Sequence, residues 1–127
     1  MAALPKSTEY SSPYFTFTIE DSVANATAEL ADGSTGTFYT LYVDNTANTG
    51  TQVYVKLYND DDETAITIGS TAPNYIFPVA GGKTKHFLFP DGFAYNHGLT
   101  VACVTSGGTE GTTAPTSAVI VRIGVTT

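Results

Sequence analysis

The stretch of this sequence best suited to chemistry is a run of four consecutive acids at residues 60–63, set between two strand-like segments. Clustered carboxylates can bind a cation, and paired ones can act as acid and base in glycoside hydrolysis. A calcium loop of the EF-hand type needs Gly at its sixth position and Glu at its twelfth, but counting from Asp60 these positions hold Ala65 and Thr71. Catalytic carboxylates face each other across a substrate, whereas adjacent acids on one short connection diverge. We therefore expect a solvated turn, with adventitious calcium binding as the alternative.

The other reactive side chains are two histidines and one cysteine. His86 and His97 lie on separate segments without the spacing of metal ligands, and the lone Cys103 stands in the apolar stretch "LTVACVTS", where we expect a buried core residue. The sequence holds no G-x-S-x-G elbow, and "AGGKT" lacks the spacing of a phosphate-binding loop. We therefore predict no enzyme activity, no catalytic residue, no metal ligand and no cofactor. A small hydrolase that depends on His86 or His97 is kept as a third functional hypothesis.

Composition indicates an all-β fold. Hydrophobic residues make up 42% of the 127 residues and charged residues only 13%, against a usual charged share of about a quarter, while Thr, Val and Tyr are abundant. The length suits one domain with a single core. The predicted strands are 14–20, 26–30, 36–44, 51–59, 64–68, 75–78, 84–89, 99–105 and 118–125, separated by clusters of Gly, Pro and Asn. We predict a single-domain antiparallel β-sandwich, with jelly-roll connections as one arrangement of its strands.

The chain divides into an extended N-terminal arm at residues 1–13 and a β-sandwich domain at residues 14–127. The arm is rich in Ser, contains Pro5 and Pro13, and shows no alternation of apolar and polar residues. Arms of this kind are usually frayed. The alternative is that this arm lies on a neighbouring subunit, with Tyr10 and Tyr14 in the contact.

Alternation along two strands predicts an aromatic patch on the outside of the sandwich. In "TQVYVKLYND" aliphatic side chains alternate with Tyr54, Lys56 and Tyr58, so we expect the aliphatic set to face the core. The preceding strand "TFYTLYVD" alternates in the same way. If the two strands pair through the loop "NTANTG", one outward aromatic patch results, formed by Phe38, Tyr42, Tyr54 and Tyr58. A large exposed apolar patch marks a contact site, unless another segment of the same chain covers it.

Charge and hydropathy narrow the range of partners. The formal net charge is -7, which repels phosphate backbones and anionic lipid, so we expect no nucleic-acid and no membrane partner. No apolar run approaches the length of a membrane span, and none follows a basic start at the N-terminus. We expect a protein that is made in the cytoplasm and carries no export signal.

From Val53 onward the order of features resembles a β-sandwich module found in structural proteins of tailed bacteriophages. The segments that carry the resemblance are "VYVKLYND", then "FPVAGGKTKHFLFPDGFAYNHGLTVACVT", then a loop rich in Thr, Gly and Pro and a final strand. Before Val53 the likeness is one of general character. The resemblance implies a virion component without enzymatic activity, and it places the acids at 60–63 in a variable loop. The chain consists of this module and one N-terminal stretch. We therefore expect a stand-alone protein and not a domain within a long fibre.

The size of the chain and its acidic balance favour one kind of virion protein. Decoration or cement proteins bind over symmetry axes of an assembled shell, commonly as trimers, and clamp neighbouring capsomers. We expect a capsid decoration protein on the exterior of the head, a homotrimer bound to the major capsid protein. An acidic surface suits that position, because a protein facing packaged DNA is more often basic. The alternative is a receptor- or glycan-binding module of a head fibre or tail fibre, with tyrosines stacking on sugars.

Overall fold

The structure is a computed structural model that describes residues 3–8 and 15–127. Its strands are β1 (Lys6–Ser7), β2 (Phe17–Ala24), β3 (Glu29–Asp32), β4 (Gly36–Asp44), β5 (Val53–Tyr58), β6 (Tyr75–Val79), β7 (Thr84–Tyr95), β8 (Leu99–Val104) and β9 (Val119–Thr126). Within the described residues the one helix is a single 3-10 turn, Glu63–Ala65. The predicted all-β fold is confirmed.

The strands form two antiparallel sheets that pack face to face. The large sheet has the order β1-β2-β9-β4-β7, and the small sheet has the order β3-β8-β5-β6. From β2 to β9 the chain changes sheet at every connection except the one from β5 to β6. Eight strands in these two orders make a jelly roll. The predicted β-sandwich is therefore confirmed, and its connections are of the jelly-roll kind.

The core lies between the two sheets and is mostly aliphatic. The predicted inward set of β5 is confirmed, because Val53, Val55 and Leu57 are all fully buried. They meet the buried side chains Leu41, Val43, Val121, Ile123 and Val125 of the large sheet and Leu99, Val101 and Cys103 of the small sheet. Burying an aliphatic side chain of this size contributes roughly 1.5–3 kcal/mol relative to leaving it in water, so this layer holds the two sheets together.

A β-bulge reverses the predicted exposure of Phe38. Along the ladder between β4 and β9, Phe38 pairs with Val125 and Thr40 pairs with Gly124, which leaves Tyr39 as an extra residue. The extra residue breaks the alternation, so Phe38 shares the inner face with Leu41, and both are 0% exposed. The prediction that Phe38 belongs to an outer patch is therefore wrong.

The pairing of β4 with β5, on which the single patch depended, does not occur. β4 lies between β9 and β7 in the large sheet, and β5 lies between β8 and β6 in the small sheet. The connection between them crosses the sandwich around the buried Asn45, whose Nδ2 donates to the backbone oxygens of Thr51 at 2.9 Å and Ala80 at 3.1 Å. Asn48 Nδ2 donates in turn to Asn45 Oδ1 at 2.9 Å. The stretch "NTANTG" is thus a crossover between the sheets, held by the two buried asparagines Asn45 and Asn48, and not a hairpin turn.

Part of the predicted arm is bound to the sandwich. β1 pairs with β2 at the edge of the large sheet, and the backbone N–H of Leu4 donates to the backbone oxygen of Leu30 in the small sheet at 2.7 Å. The Nζ of Lys6 lies 3.1 Å from Oδ1 of Asp32, a side chain that is 1% exposed. The described part of the arm therefore closes the side of the sandwich where β2 and β3 lie. Tyr10 and Tyr14 fall outside the described residues.

Candidate interaction surface

The loop after β8 covers part of the outer face of the small sheet. The Nζ of Lys56, on β5, donates to the backbone oxygens of Gly111 at 3.1 Å and Thr109 at 3.4 Å. Lys56 is 0% exposed, and burial lowers the pKa of its amine. Tyr54 is half-buried on the same face, where Gly107 packs against its ring. The predicted exposure of Lys56 is therefore wrong.

A second loop, residues 59–74, buries Tyr58 on the same face. The Tyr58 side chain is 1% exposed and packs with Ala28, Ile66 and Ala102. Its hydroxyl has no hydrogen-bond partner among the described residues, and burial raises the pKa of that hydroxyl. The prediction that Tyr58 lies in an outward aromatic row is wrong. On the small sheet, other segments of the same chain cover the face that carries Tyr54 and Tyr58, which is the alternative to an exposed contact site.

The acids at 60–63 shape the loop that carries them. Asp60 Oδ1 accepts from the backbone N–H of Asp62 at 2.9 Å. Asp62 Oδ1 caps the 3-10 turn by accepting from the N–H of Thr64 at 3.0 Å, and the hydrogen bonds from Thr64 lower the pKa of Asp62. A strand at 64–68, predicted from the sequence, is replaced by this turn. Across the described ranges, 3–8 and 15–127, no three His, Cys, Asp or Glu side chains are grouped so that they could hold a metal ion.

The reactive side chains lie apart from one another. Cys103 is fully buried in the core, and burial, with a smaller contribution from the negative charge of Asp21, raises the pKa of its thiol to about 12. His86 lies on the edge strand β7 and pairs with Tyr42, whereas His97 lies in the turn after β7. Tyr95, the last residue of β7 before that turn, pairs with Gly36, six β4 residues from Tyr42, which is about 20 Å at about 3.3 Å per strand residue. The structure therefore assembles no site from these three residues.

The outer face of the large sheet carries Tyr42. Tyr42 is half-buried, with the Arg122 guanidinium carbon 5.4 Å from its ring centroid and the His86 ring in edge contact at 6.0 Å. Beside it, over Gly124, is a shallow hollow of about 240 Å³ lined by Phe15, Thr18, Thr40, Tyr42, His86 and Arg122. Tyr42 and Tyr54 thus lie on opposite sheets, so the predicted residues do not form one patch.

An aromatic surface occurs instead where the two sheets end together, at the outer strands β6 and β7. Five half-buried rings close this side of the sandwich, and we call them the aromatic rim: Tyr75, Phe77, Phe87, Phe89 and Phe93. Rings from the two sheets meet in pairs, with centroids 5.1 Å apart for Phe77 and Phe87 and 4.8 Å apart for Tyr75 and Phe93. The rim therefore joins the sheets while leaving part of each ring open to solvent.

Next to the rim the surface stays apolar. Leu88 is 66% exposed, one of two large hydrophobic side chains of the described residues that are exposed, the other being Val23. A hollow of about 210 Å³ lies beside it, lined by Tyr39, Thr40, Leu88, Phe89 and Pro90. Contiguous apolar surface of this kind is typical of contact sites.

The aromatic rim was not predicted from the sequence, because its residues come from two strands that become neighbours only in the fold. A signal does exist in "YIFPV" and "KHFLFPDGF", where aromatic residues recur at alternate positions, although the partners of those strands cannot be read from either stretch. Alternation alone marks such residues as core. Their position at the end of both sheets is what leaves them half-exposed.

None of the described residues forms a helix long and apolar enough to cross a membrane. No protein family, no curated protein and no solved structure matches this chain.

Proposed function

We propose that this chain is a structural protein of a tailed-bacteriophage virion, most like a decoration protein. In this proposal three copies bind around threefold axes on the outside of the assembled head, contact the major capsid protein and stabilise the contacts between capsomers. The chain would be made in the host cytoplasm and end up on the capsid exterior. No catalysis is part of this function.

The observation that carries the proposal is the aromatic rim with the exposed Leu88 beside it. One sheet face is closed by loops of the chain itself, while the rim presents apolar surface on a rigid jelly roll, as expected of a protein that acts by binding other proteins. A standard interface covers about 800 Å² on each partner, against a total accessible surface of 6058 Å² for the described chain. One molecule therefore has room for a shell contact and for contacts with its own copies.

In this proposal the protein stabilises the assembled shell by mass action. A protein that binds the assembled shell and not its dispersed subunits shifts the equilibrium towards assembly by an amount set by its concentration and dissociation constant. The net charge of -7 supports an outer position, away from packaged DNA. Tailed-phage membership itself rests on the resemblance of the segment from Val53 onward.

The deciding experiment is imaging of the virion whose genome encodes the chain, with the chain traced into the density. We expect copies on the outside of the head, grouped in threes. Heads that lack the protein should bind the purified chain saturably and then withstand higher temperature. Finding the chain on the tail, or finding that heads do not bind it, would overturn the proposal.

The hollow over Gly124 favours a second candidate function, a glycan-binding module of a head or tail fibre. Its walls combine aromatic rings with hydroxyl and guanidinium groups, the groups that stack on sugar rings and hydrogen-bond to their hydroxyls. This candidate predicts binding on a glycan array that is lost in Tyr42→Ala and kept in Tyr54→Ala, which changes the opposite sheet. An array on which the wild-type chain binds no glycan removes this candidate.

A further inference from the structure

The sheet edges of the described chain are not equally available for contact. β1 is two residues long, β3 receives the hydrogen bond from Leu4, and β6 has five residues that include Pro78. β7 is an edge strand of twelve residues, Thr84–Tyr95, with the aromatic rim along it. Lys85, Pro90 and the irregular stretch at 89–92 oppose pairing of β7 with another strand. A partner at this edge must therefore contact side chains.

Two residues of β7 carry opposite charges on either side of Phe87. Lys85 pairs with Val43, and Asp91 lies in the stretch 89–92 opposite Tyr39. They are therefore four β4 residues apart, about 13 Å along the strand. Phe87, which pairs with Leu41, lies midway between them.

Both of these charges are exposed to solvent. Neither Lys85 nor Asp91 forms an ion pair with another of the described residues, although Lys85 Nζ lies 4.8 Å above the Phe87 ring. The other cations are engaged or lie at the same end: Lys6 binds Asp32, Arg122 binds Glu20, Lys56 is buried, and Lys83 lies two residues before Lys85. Near the cationic end, the Asp44 carboxylate is held by Thr46.

We propose that the aromatic rim is a contact between two copies of this chain, related by a twofold axis that passes close to Phe87. An antiparallel approach about this axis brings the Phe87 rings of the two copies together, with Phe77 and Leu88 beside them. It also places Lys85 of each copy opposite Asp91 of the other, twice. Such a contact is isologous, because the same patch serves both copies. The inference goes beyond the proposed function and stands without it, since it concerns two copies whatever surface they are bound to.

A charge exchange tests the twofold geometry directly. Lys85→Glu places two acids opposite each other at both ends of the contact, and Asp91→Lys places two lysines there. We expect each variant alone to dimerise with a dissociation constant raised roughly tenfold or more at low salt. Mixed in equal amounts, the two variants should form a one-to-one heterodimer, because both opposed pairs are then complementary. Sedimentation and native mass spectrometry measure these species.

The apolar part of the contact has a matched control. Leu88→Ser should weaken the dimer at every salt concentration, whereas Val23→Ser, at a side chain that is 57% exposed on β2, should leave it unchanged. Circular dichroism of each variant checks that the fold is kept. A wild-type chain that stays monomeric at hundreds of micromolar, or an oligomer that neither Leu88→Ser nor the charge variants affect, overturns the proposal. So does a failure of the mixed variants to associate while the wild type does.

Discussion

Asp21 is a carboxylic acid that the fold buries with incomplete hydrogen bonding. It is 6% exposed, its Oδ1 accepts from the N–H of Val23 at 3.1 Å, and its Oδ2 has no partner among the described residues. Burial raises the pKa of Asp21, and the bond from Val23 opposes that effect in part. An ionised carboxylate at this position therefore lowers stability.

We predict that Asp21→Asn stabilises the protein at pH 7, by about 1 kcal/mol. The unfolded carboxyl ionises near 3.8 and the folded one at higher pH. Stability of the wild type therefore falls as pH rises between these two values, and the penalty is complete above the folded pKa. The gain from Asn should vanish at pH 3, where both states of Asp are neutral. Urea unfolding at the two pH values measures this.

The control for that prediction is Asp61→Asn. Asp61 is exposed in the loop after β5, so its substitution should change stability little at either pH. A loss of stability in Asp21→Asn at pH 7 would contradict the prediction.

At the scale of elements, β7 approaches β4 closely beside the bulge that turns Phe38 inward. Gly92 has φ +70, a conformation that costs an L-residue about 1–2 kcal/mol. A Cβ atom at Gly92 would collide with Cγ2 of Thr37 and would lie 2.8 Å from Cε1 of the Tyr39 ring. Both backbone and packing therefore require glycine at this position.

We predict that Gly92→Ala destabilises the fold by about 2–4 kcal/mol, the sum of the backbone cost and of overpacking against Tyr39. Gly108→Ala is the matched comparison, because Gly108 has φ +73 and no atom within 4 Å of its ideal Cβ. The free energy of unfolding of Gly108→Ala should fall only by the backbone cost, about 1–2 kcal/mol. Chemical denaturation of both variants gives the difference, and equal losses would contradict the packing argument.

The elements could be predicted more fully than their partners. The strand Gly36–Asp44 has the predicted bounds, and the inward set of β5 is as expected, because periodicity and turn residues are local properties. Periodicity does not say which strand lies alongside, so pairing of β4 with β5 could only be supposed, and it does not occur. Nor could it show that Lys56 and Tyr58 are covered, since the covering loops lie outside the strand whose periodicity is read.

For the whole molecule, Asp32 connects the arm with both sheets. It lies at the end of β3 in the small sheet, its Oδ2 accepts from the Tyr95 hydroxyl of the large sheet at 2.7 Å, and its Oδ1 accepts from Lys6 of β1. Burial alone would raise the pKa of Asp32, but the hydrogen bonds from Tyr95, Lys6 and Ser34 together lower it. The ionised form is therefore the one that this arrangement stabilises.

We predict that Tyr95→Phe lowers stability at pH 7 by about 1.5–3 kcal/mol, the usual contribution of a hydrogen bond to a charged group. A lowered folded pKa contributes stability above the unfolded value of 3.8 that is lost as pH falls through the folded pKa. The difference between variant and wild type should therefore shrink in acid. Thermal unfolding from pH 7 to pH 2.5 measures it, with Tyr54→Phe as the control for an exposed hydroxyl. A difference that stays constant in acid would mean that the Tyr95 hydroxyl contributes independently of the charge on Asp32.

The burial of Lys56 under the loop after β8 gives a way to measure how often that loop opens. Reagents that acylate neutral amines should label the exposed Lys83 and Lys85 at once, but reach Lys56 only when the loop lifts and the carbonyls of Thr109 and Gly111 release the amine. The time course of labelling at this lysine, read by mass spectrometry, would therefore measure how often the loop opens while the rest of the sandwich stays folded.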